Sequence, residues 1–205
     1  MRLMVMGPQG SGKGTTGKML ADHLNLPFIS LGKVFREIPQ DHALYDAIDQ
    51  AMDAGELVPL PISSKIIAER LAQPDCSNGF VLDGWCRRME DLHAYDPNPD
   101  TVLVLDISRE TSIKRITGRR ICTSDGKNYN IYTLPKEQLK ECKGELIQRE
   151  DDTKEAVETR LNIYYTQTKE VIEHFKKQGI VKTIDAEGPP EEVFENALEA
   201  LNSAS

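Results

Sequence analysis

Gly7-Pro8-Gln9-Gly10-Ser11-Gly12-Lys13-Gly14-Thr15 constrains this 205-residue chain more than any other stretch. The apolar run Leu3-Met4-Val5-Met6 before it reads as a buried strand. A helical pattern through Lys18, Met19, Leu20 and Leu24 follows it. Strand, glycine loop and helix is the context in which such a loop holds phosphate. Glycines accept the tight backbone angles that aim successive N–H groups at an oxyanion. The helix N-terminus adds partial positive charge, and Lys13 a full one. Thr15 is placed to offer a hydroxyl to a phosphate-bound Mg²⁺. The loop therefore predicts a bound nucleotide, its phosphates among Gly10, Ser11, Gly12, Lys13, Gly14 and Thr15.

Further apolar runs read as strands at 27–29, 80–83, 101–106 and 180–184. Between them, helical periodicity covers 31–37, 42–52, 62–72, 108–119 and 153–178, with a last helix after Pro189-Pro190. Five apolar strands separated by helices predict an α/β fold, a parallel sheet covered on both faces. Ligands in such sheets sit beyond the carboxyl ends of the strands. The glycine loop, Asp83 and the segment after Ile184 are thus expected around one crevice. Residues 121–148 lose the pattern and are polar, with Tyr129 and Tyr132 among them, and read as an excursion from the core.

Composition narrows the class. A net charge of −8 argues against nucleic acid or an anionic membrane as partner. No apolar run reaches membrane-spanning length, and no targeting segment is expected. The four cysteines, at 76, 86, 122 and 142, do not read as a disulfide framework. A reduced, cytoplasmic enzyme is the expectation.

Asp83 ends an apolar strand, the place where a carboxylate holds Mg²⁺ beside a phosphate loop. The arginines say more. Arg36, Arg87, Arg88, Arg115, Arg119, Arg120, Arg149 and Arg160 are numerous for an acidic chain, and several fall at loop edges and helix ends. Arginine grips phosphate oxygens bidentately. Two polyphosphates held together repel each other and need many positive groups.

Taken together these segments resemble the adenylate kinases, within the nucleoside monophosphate kinases, over almost the whole chain. The glycine loop is similar to that family's phosphate loop. Ile29-Ser30-Leu31-Gly32 with Arg36 resembles the start of its monophosphate-binding insertion, I-S-T-G-D-x-x-R. Residues 52–59, with Glu56, Leu57 and Val58, are similar to the segment around the acceptor base. Leu82-Asp83-Gly84-Trp85-Cys86-Arg87 stands for L-D-G-F-P-R, whose arginine grips the acceptor phosphate. Arg115 and Gly118-Arg119-Arg120 resemble the edge of the ATP lid. Gln148-Arg149-Glu150-Asp151-Asp152 with Arg160 resembles the lid's return and its phosphate-bridging arginines. Residues 185–189, including Gly188, resemble the loop that reads the ATP adenine.

The resemblance implies a P-loop NTPase-type sheet with two insertions: a core of 1–29, 60–119 and 151–205, a monophosphate-binding insertion at 30–59 and a lid at 120–150. It implies transfer of the ATP γ-phosphoryl to a nucleoside monophosphate, AMP preferred, in a monomeric enzyme. Catalytic roles fall to Lys13, Asp83, Arg87, Arg119, Arg149 and Arg160. ATP lies against the glycine loop, Arg115, Arg119, Tyr129, Tyr132 and Gly188. The acceptor lies against Leu31, Arg36, Glu56–Val58, Gly84–Arg87, Asp91, Arg149 and Arg160. Mg²⁺ accompanies ATP through Thr15 and Asp83. Kinases of UMP, CMP or GMP on the same fold, and a catalytically silent nucleotide sensor, are the alternatives.

Three departures stand out. Leu31 and Lys33 replace the family's Thr and Asp, Trp85-Cys86 replaces Phe-Pro, and Asp91 stands where a glutamine reads the base. Altered base readers predict relaxed acceptor selectivity. In the lid, zinc-bearing relatives carry four ligands; here the matching positions are Cys122, Asp125, Leu139 and Cys142. Leucine cannot be a ligand, so zinc is not expected, and Cys122 and Cys142 are expected as buried thiols.

Overall fold

The computed structural model describes residues 1–149 and 152–203. Glu150 and Asp151, in the run expected as the lid's return, lie outside the described residues. The elements in chain order are β1 (Arg2–Met6), α1 (Lys13–Leu24), β2 (Phe28–Ser30), α2 (Leu31–Arg36), α3 (Tyr45–Asp53) and α4 (Leu60–Leu71). Then come β3 (Phe80–Asp83), α5 (Met89–Ala94), β4 (Thr101–Asp106) and α6 (Arg109–Thr117). The excursion holds β5 (Arg119–Cys122), β6 (Asn128–Asn130), the single turn α7 (Lys136–Leu139) and β7 (Leu146–Ile147). α8 (Lys154–Ile163), α9 (Lys169–Lys177), β8 (Val181–Asp185) and α10 (Pro190–Asn202) complete the chain.

The main sheet is five-stranded and parallel, in the order β2-β3-β1-β4-β8. Its central strands are apolar on both sides because both sides are covered. Met4, Met6, Leu82, Val102 and Val104 point to one core, shared with Ile67, Tyr164, Val171 and Phe175. Leu3, Val5, Val81, Leu103 and Leu105 point to the other, against Leu20 and Ala21 of α1 and Val193 and Ala197 of α10. Truncating a fully buried residue such as Leu103 to alanine removes about 2–5 kcal/mol. The expected α/β class, the five parallel strands and the helices on both faces are as the sequence reads them. The expected 153–178 helix is α8 and α9 joined by a π-helical turn at Tyr164–Thr168. The short helix α5 was not foreseen, since one turn and a half carries too little periodicity.

The register sets the site. Val5 pairs with Asp83 on β3, and Ser30 of β2 pairs with the same Asp83. The glycine loop after β1 and the loop after β3 therefore leave the sheet side by side. Gly7 carries φ 144°, and a Cβ there would lie 2.3 Å from the Leu105 carbonyl oxygen. Only glycine fits the exit from β1. The insertion after β2 returns to the core at Gly55, φ 73°, where a Cβ would come within 2.4 Å of the Ala156 carbonyl oxygen on α8.

The excursion is a three-stranded antiparallel sheet in the order β6-β5-β7. It is closed by a disulfide between Cys122 and Cys142. The expectation of two free thiols is corrected: the antiparallel pairing of Cys122 with Leu146 brings the short turn carrying Cys142 alongside. Sequence spacing does not reveal this, because 20 residues separate the pair. Cys76 and Cys86 are free and buried. Sulfurs joined to each other are not thiolate ligands, so Cys122 and Cys142 offer zinc nothing while paired.

Closing a loop of this length restricts the unfolded segment by about 3 kcal/mol. Reduction, or Cys142→Ser, is therefore expected to raise hydrogen exchange at the amides of β5 and β6 while those of β1 and β4 stay protected. Equal exchange in the oxidised and reduced protein would show that the bond adds nothing to the lid.

Candidate active site

Lys13 is the first residue of α1, and its Nζ donates to the carbonyl oxygens of Gly7 (2.9 Å) and Pro8 (2.7 Å). The ammonium is folded back over its own loop. Burial lowers its pKa from the usual value to about 8; Asp83 opposes the shift, and Arg87 and Arg119 add to it. Such a group gains from any anion that enters the loop. Ser11 is buried and its hydroxyl has no hydrogen-bond partner, while Thr15 is exposed at the loop's mouth.

Asp83 ends β3. Its Oδ2 accepts from the Ser30 hydroxyl at 3.4 Å, and its Oδ1 is buried with no hydrogen-bond partner among the described residues. An unpartnered carboxylate oxygen beside a phosphate loop is a hard donor, suited to Mg²⁺ and not to a soft metal. Among the described residues no group of three or more His, Cys, Asp or Glu side chains converges as a metal cage. One carboxylate with a hydroxyl fits a cation that arrives on a phosphate and keeps several waters.

Four residues beyond Asp83, the Arg87 guanidinium is withdrawn from water, which lowers its pKa; Asp83 opposes this and Arg160 reinforces it. Lys13, Arg87 and Arg160 line one cleft with Gly84, Tyr164 and Thr168. Arg160, 9% exposed on α8, donates from Nη2 to the Met52 carbonyl oxygen at 2.8 Å, tying the insertion to the core. Arg119 grips the fully buried Asp152 with Nε (2.8 Å) and Nη2, and Arg160 Nη1 lies 3.9 Å from the same carboxylate. Asp152 therefore gathers two cations at the junction of β5 and α8. Arg149 reaches Asn128 of β6 at 3.2 Å, and Arg36 is exposed at the end of α2.

Arg115 holds the loop after β8. Its guanidinium donates to the carbonyl oxygens of Ala186 (2.8 Å), Glu187 (2.8 Å) and Gly188 (3.1 Å). It ties the loop after β8 to α6, beside the phosphate loop, and its work is on the backbone. Tyr129 is buried in the small sheet, whereas Tyr132 packs over Gly118 with 56% of its surface exposed.

On the other side of the cleft, Leu31 is buried in the core with its Cβ close under Gly84. Val58 is buried, Leu57 partly so, and Glu56 exposed. Three of the expected acceptor residues also make contacts inside the protein, and Trp85 among them lines the cleft. The Trp85 ring is 3% exposed and its Nε1 donates to the Tyr95 carbonyl oxygen at 3.0 Å. Cys86 is fully buried, with burial pushing its thiol pKa up. Asp91 is 5% exposed: its Oδ2 accepts from the N–H groups of Arg87 (3.0 Å) and Arg88 (3.1 Å), and its Oδ1 from Arg88 Nε (2.8 Å). It caps α5. Asp152 and Thr168, both buried polar residues of the site, were missed as individual actors; a lone Thr in a helix gives no signal, and Asp152 was read only as part of a run.

Comparison with known proteins agrees with this arrangement. A family profile described as adenylate kinase matches residues 5–180. An adenylate kinase of Streptomyces coelicolor is 41% identical over 213 residues, covering 98% of each chain. One from Clostridium kluyveri is 37% identical over 214 residues, covering 99% of each, and one from Symbiobacterium thermophilum 37% over 215, covering the whole of both. With the phosphate loop, the parallel sheet and a match across nearly its full length, the chain belongs to the adenylate kinase family.

Proposed function

We propose that the chain transfers the γ-phosphoryl of ATP to AMP, reversibly, giving two ADP. The observation that carries this reading is the convergence of Lys13, Arg87 and Arg160 on one cleft, where two neighbouring strands end. A single phosphate loop needs only Lys13. A second set of cations opposite it calls for a second phosphate.

Each group then has a task. Lys13 follows the β- and γ-phosphates, and Arg119, Arg149 and Arg160 meet the charge on the transferring group. Arg87 and Arg36 hold the acceptor phosphate. Leu31, Leu57, Val58 and Gly84 shape the acceptor's apolar wall, and Arg115 holds the Gly188 loop against the ATP base. Tyr129 and Tyr132 belong to the lid that covers ATP. Asp83 and Thr15 are the residues that would hold Mg²⁺, which neutralises phosphate charge when bound. The protein makes no covalent bond; positioning and electrostatics lower the barrier. Water competes as acceptor, so the 30–59 insertion and the 120–150 lid close over a core of the remaining residues before transfer. We place the protein in the cytoplasm as a monomer; no helix among the described residues is long and apolar enough to cross a membrane.

A coupled assay with ATP and each of the four ribonucleoside monophosphates tests the reading, with AMP expected as the best acceptor. A better rate with CMP, UMP or GMP would move the chain to a sister activity, and no turnover at all would make it a sensor. Lys13→Met removes the charge and keeps the length, so kcat is expected to fall about 10²–10³-fold with the fold intact by circular dichroism. Activity within tenfold of the parent would remove Lys13 from the mechanism.

The lowered pKa of Lys13 makes a further statement. Bound polyphosphate favours the charged amine, so its pKa rises in the complex. Between the free value near 8 and the bound value, ATP binding takes up a proton. Affinity is therefore expected to weaken by up to about tenfold per pH unit above 8, with proton uptake seen by calorimetry in buffers of different ionisation enthalpy. A flat affinity from pH 7 to 9.5 would contradict it.

A further inference from the structure

We propose that Asp91 and Thr168 are positioning residues for Arg87, holding from two sides the backbone that carries its guanidinium into the cleft. The proposal rests on the assignment of Arg87 to the acceptor phosphate.

Arg87 leaves β3 through a strained turn. Gly84 has φ 90°, and Cys86, a residue with a Cβ, has φ 55°. A non-glycine residue in the left-handed region stays there only when its surroundings over-determine it. The described structure gives the surroundings. The Arg87 N–H donates to Asp91 Oδ2 at 3.0 Å, and the Arg87 carbonyl oxygen accepts from Thr168 Oγ1 at 2.9 Å. Both backbone polar groups of one residue are thus held by side chains from opposite elements, α5 and the π-helical turn before α9. Asp91 and Thr168 are each 5% exposed, so water does not compete for either bond.

The guanidinium itself makes no ion pair with the described residues, although Asp83 lies within electrostatic reach. Its position is inherited from the backbone. The π turn brings Thr168 into place. On a regular helix a residue eight positions after Arg160 lies roughly 80° around the axis. The Lys169 N–H instead bonds the Tyr164 carbonyl oxygen, five residues back, and this wider turn swings Thr168 back toward the side that Arg160 occupies. Both residues then line the cleft. A wide turn inside a helix often serves a site in this way.

Asp91 and Thr168 act on an arginine that grips phosphate, so their loss must weaken every acceptor alike, whatever its base. A base reader would change the ranking of acceptors. General unfolding would depress ATP and acceptor use together. These three outcomes separate in steady-state kinetics.

The experiment measures KM for AMP, CMP and GMP, KM for ATP, and kcat, in the parent, Thr168→Val, Thr168→Ser, Asp91→Ala and Asp91→Asn, with Arg87→Ala in parallel. Thr168→Val keeps the shape without the hydroxyl, and Asp91→Asn keeps an oxygen for the two N–H groups. Thr168→Val and Asp91→Ala are expected to raise KM for all three acceptors by about tenfold and by a common factor, with KM for ATP unmoved. Thr168→Ser is expected to return the acceptor KM to near the parent value, and Asp91→Asn to fall between the parent and Asp91→Ala, because its amide nitrogen faces Arg88 Nε. Thr168→Val carries the test alone if Asp91→Ala does not fold. Acceptor KM unchanged in Thr168→Val while Arg87→Ala raises it would overturn the positioning role and leave Arg87 in place. Arg87→Ala without effect on acceptor KM would overturn both. A changed ratio between bases in the Asp91 variants, or ATP and acceptor KM rising together, would likewise overturn it.

Discussion

The pairing of β1 with β3 is the constraint on which the rest depends. Val5 opposite Asp83 places two loop exits one strand apart, about 4.8 Å. One exit becomes the phosphate loop and the other the turn that carries Arg87. A slip of one residue would send Asp83 to the other face of the sheet and the Arg87 loop with it. The register is secured because both faces of these strands are buried: Met4 and Leu82 pack into one core while Leu3 and Val81 pack into the other. Hydrophobic packing thus fixes the distance between two charged loops to which it contributes no atom.

What those loops carry is a set of like charges in reduced contact with water. Arg87 is lowered in pKa by burial and by Arg160, and Lys13 by burial and by Arg87 and Arg119. The fold tolerates this because carboxylates are interleaved. Asp83 sits between Lys13 and Arg87, and Asp152 between Arg119 and Arg160. Arginine suits the task because its charge is not lost to burial as a lysine's is.

The legible part of this protein is the part written in local pattern. The glycine loop, five apolar strands and the loop-edge arginines each announce themselves within about ten residues, and the sheet, its layers and the placement of Lys13 and Asp83 follow. The less legible part is directional. Asp91 and Glu56 are both carboxylates expected at the acceptor, yet one is buried beneath its own helix and the other is exposed. A one-letter code does not tell whether a side chain points to the cleft or back to the backbone. Trp85 and Cys86 show the same: they occupy the family's motif positions, but their side chains belong to the core. The Cys122–Cys142 bond was hidden for another reason, since the pairing that brings its ends together joins strands too short to show periodicity.

Gly55 carries a consequence for how the insertion moves. Its Cα lies so close to Ala156 that no side chain fits between them, and Arg160 fastens the neighbouring Met52 carbonyl across the same seam. The seam is therefore closed only where the 30–59 segment rests flush on α8. A methyl group at position 55 would act as a wedge, excluding the flush arrangement without touching any nucleotide. In population terms it would lower the fraction of molecules with the seam shut, and anything that binds only that arrangement would lose apparent affinity by the same fraction. The absence of one carbon atom is thus what lets the two surfaces meet.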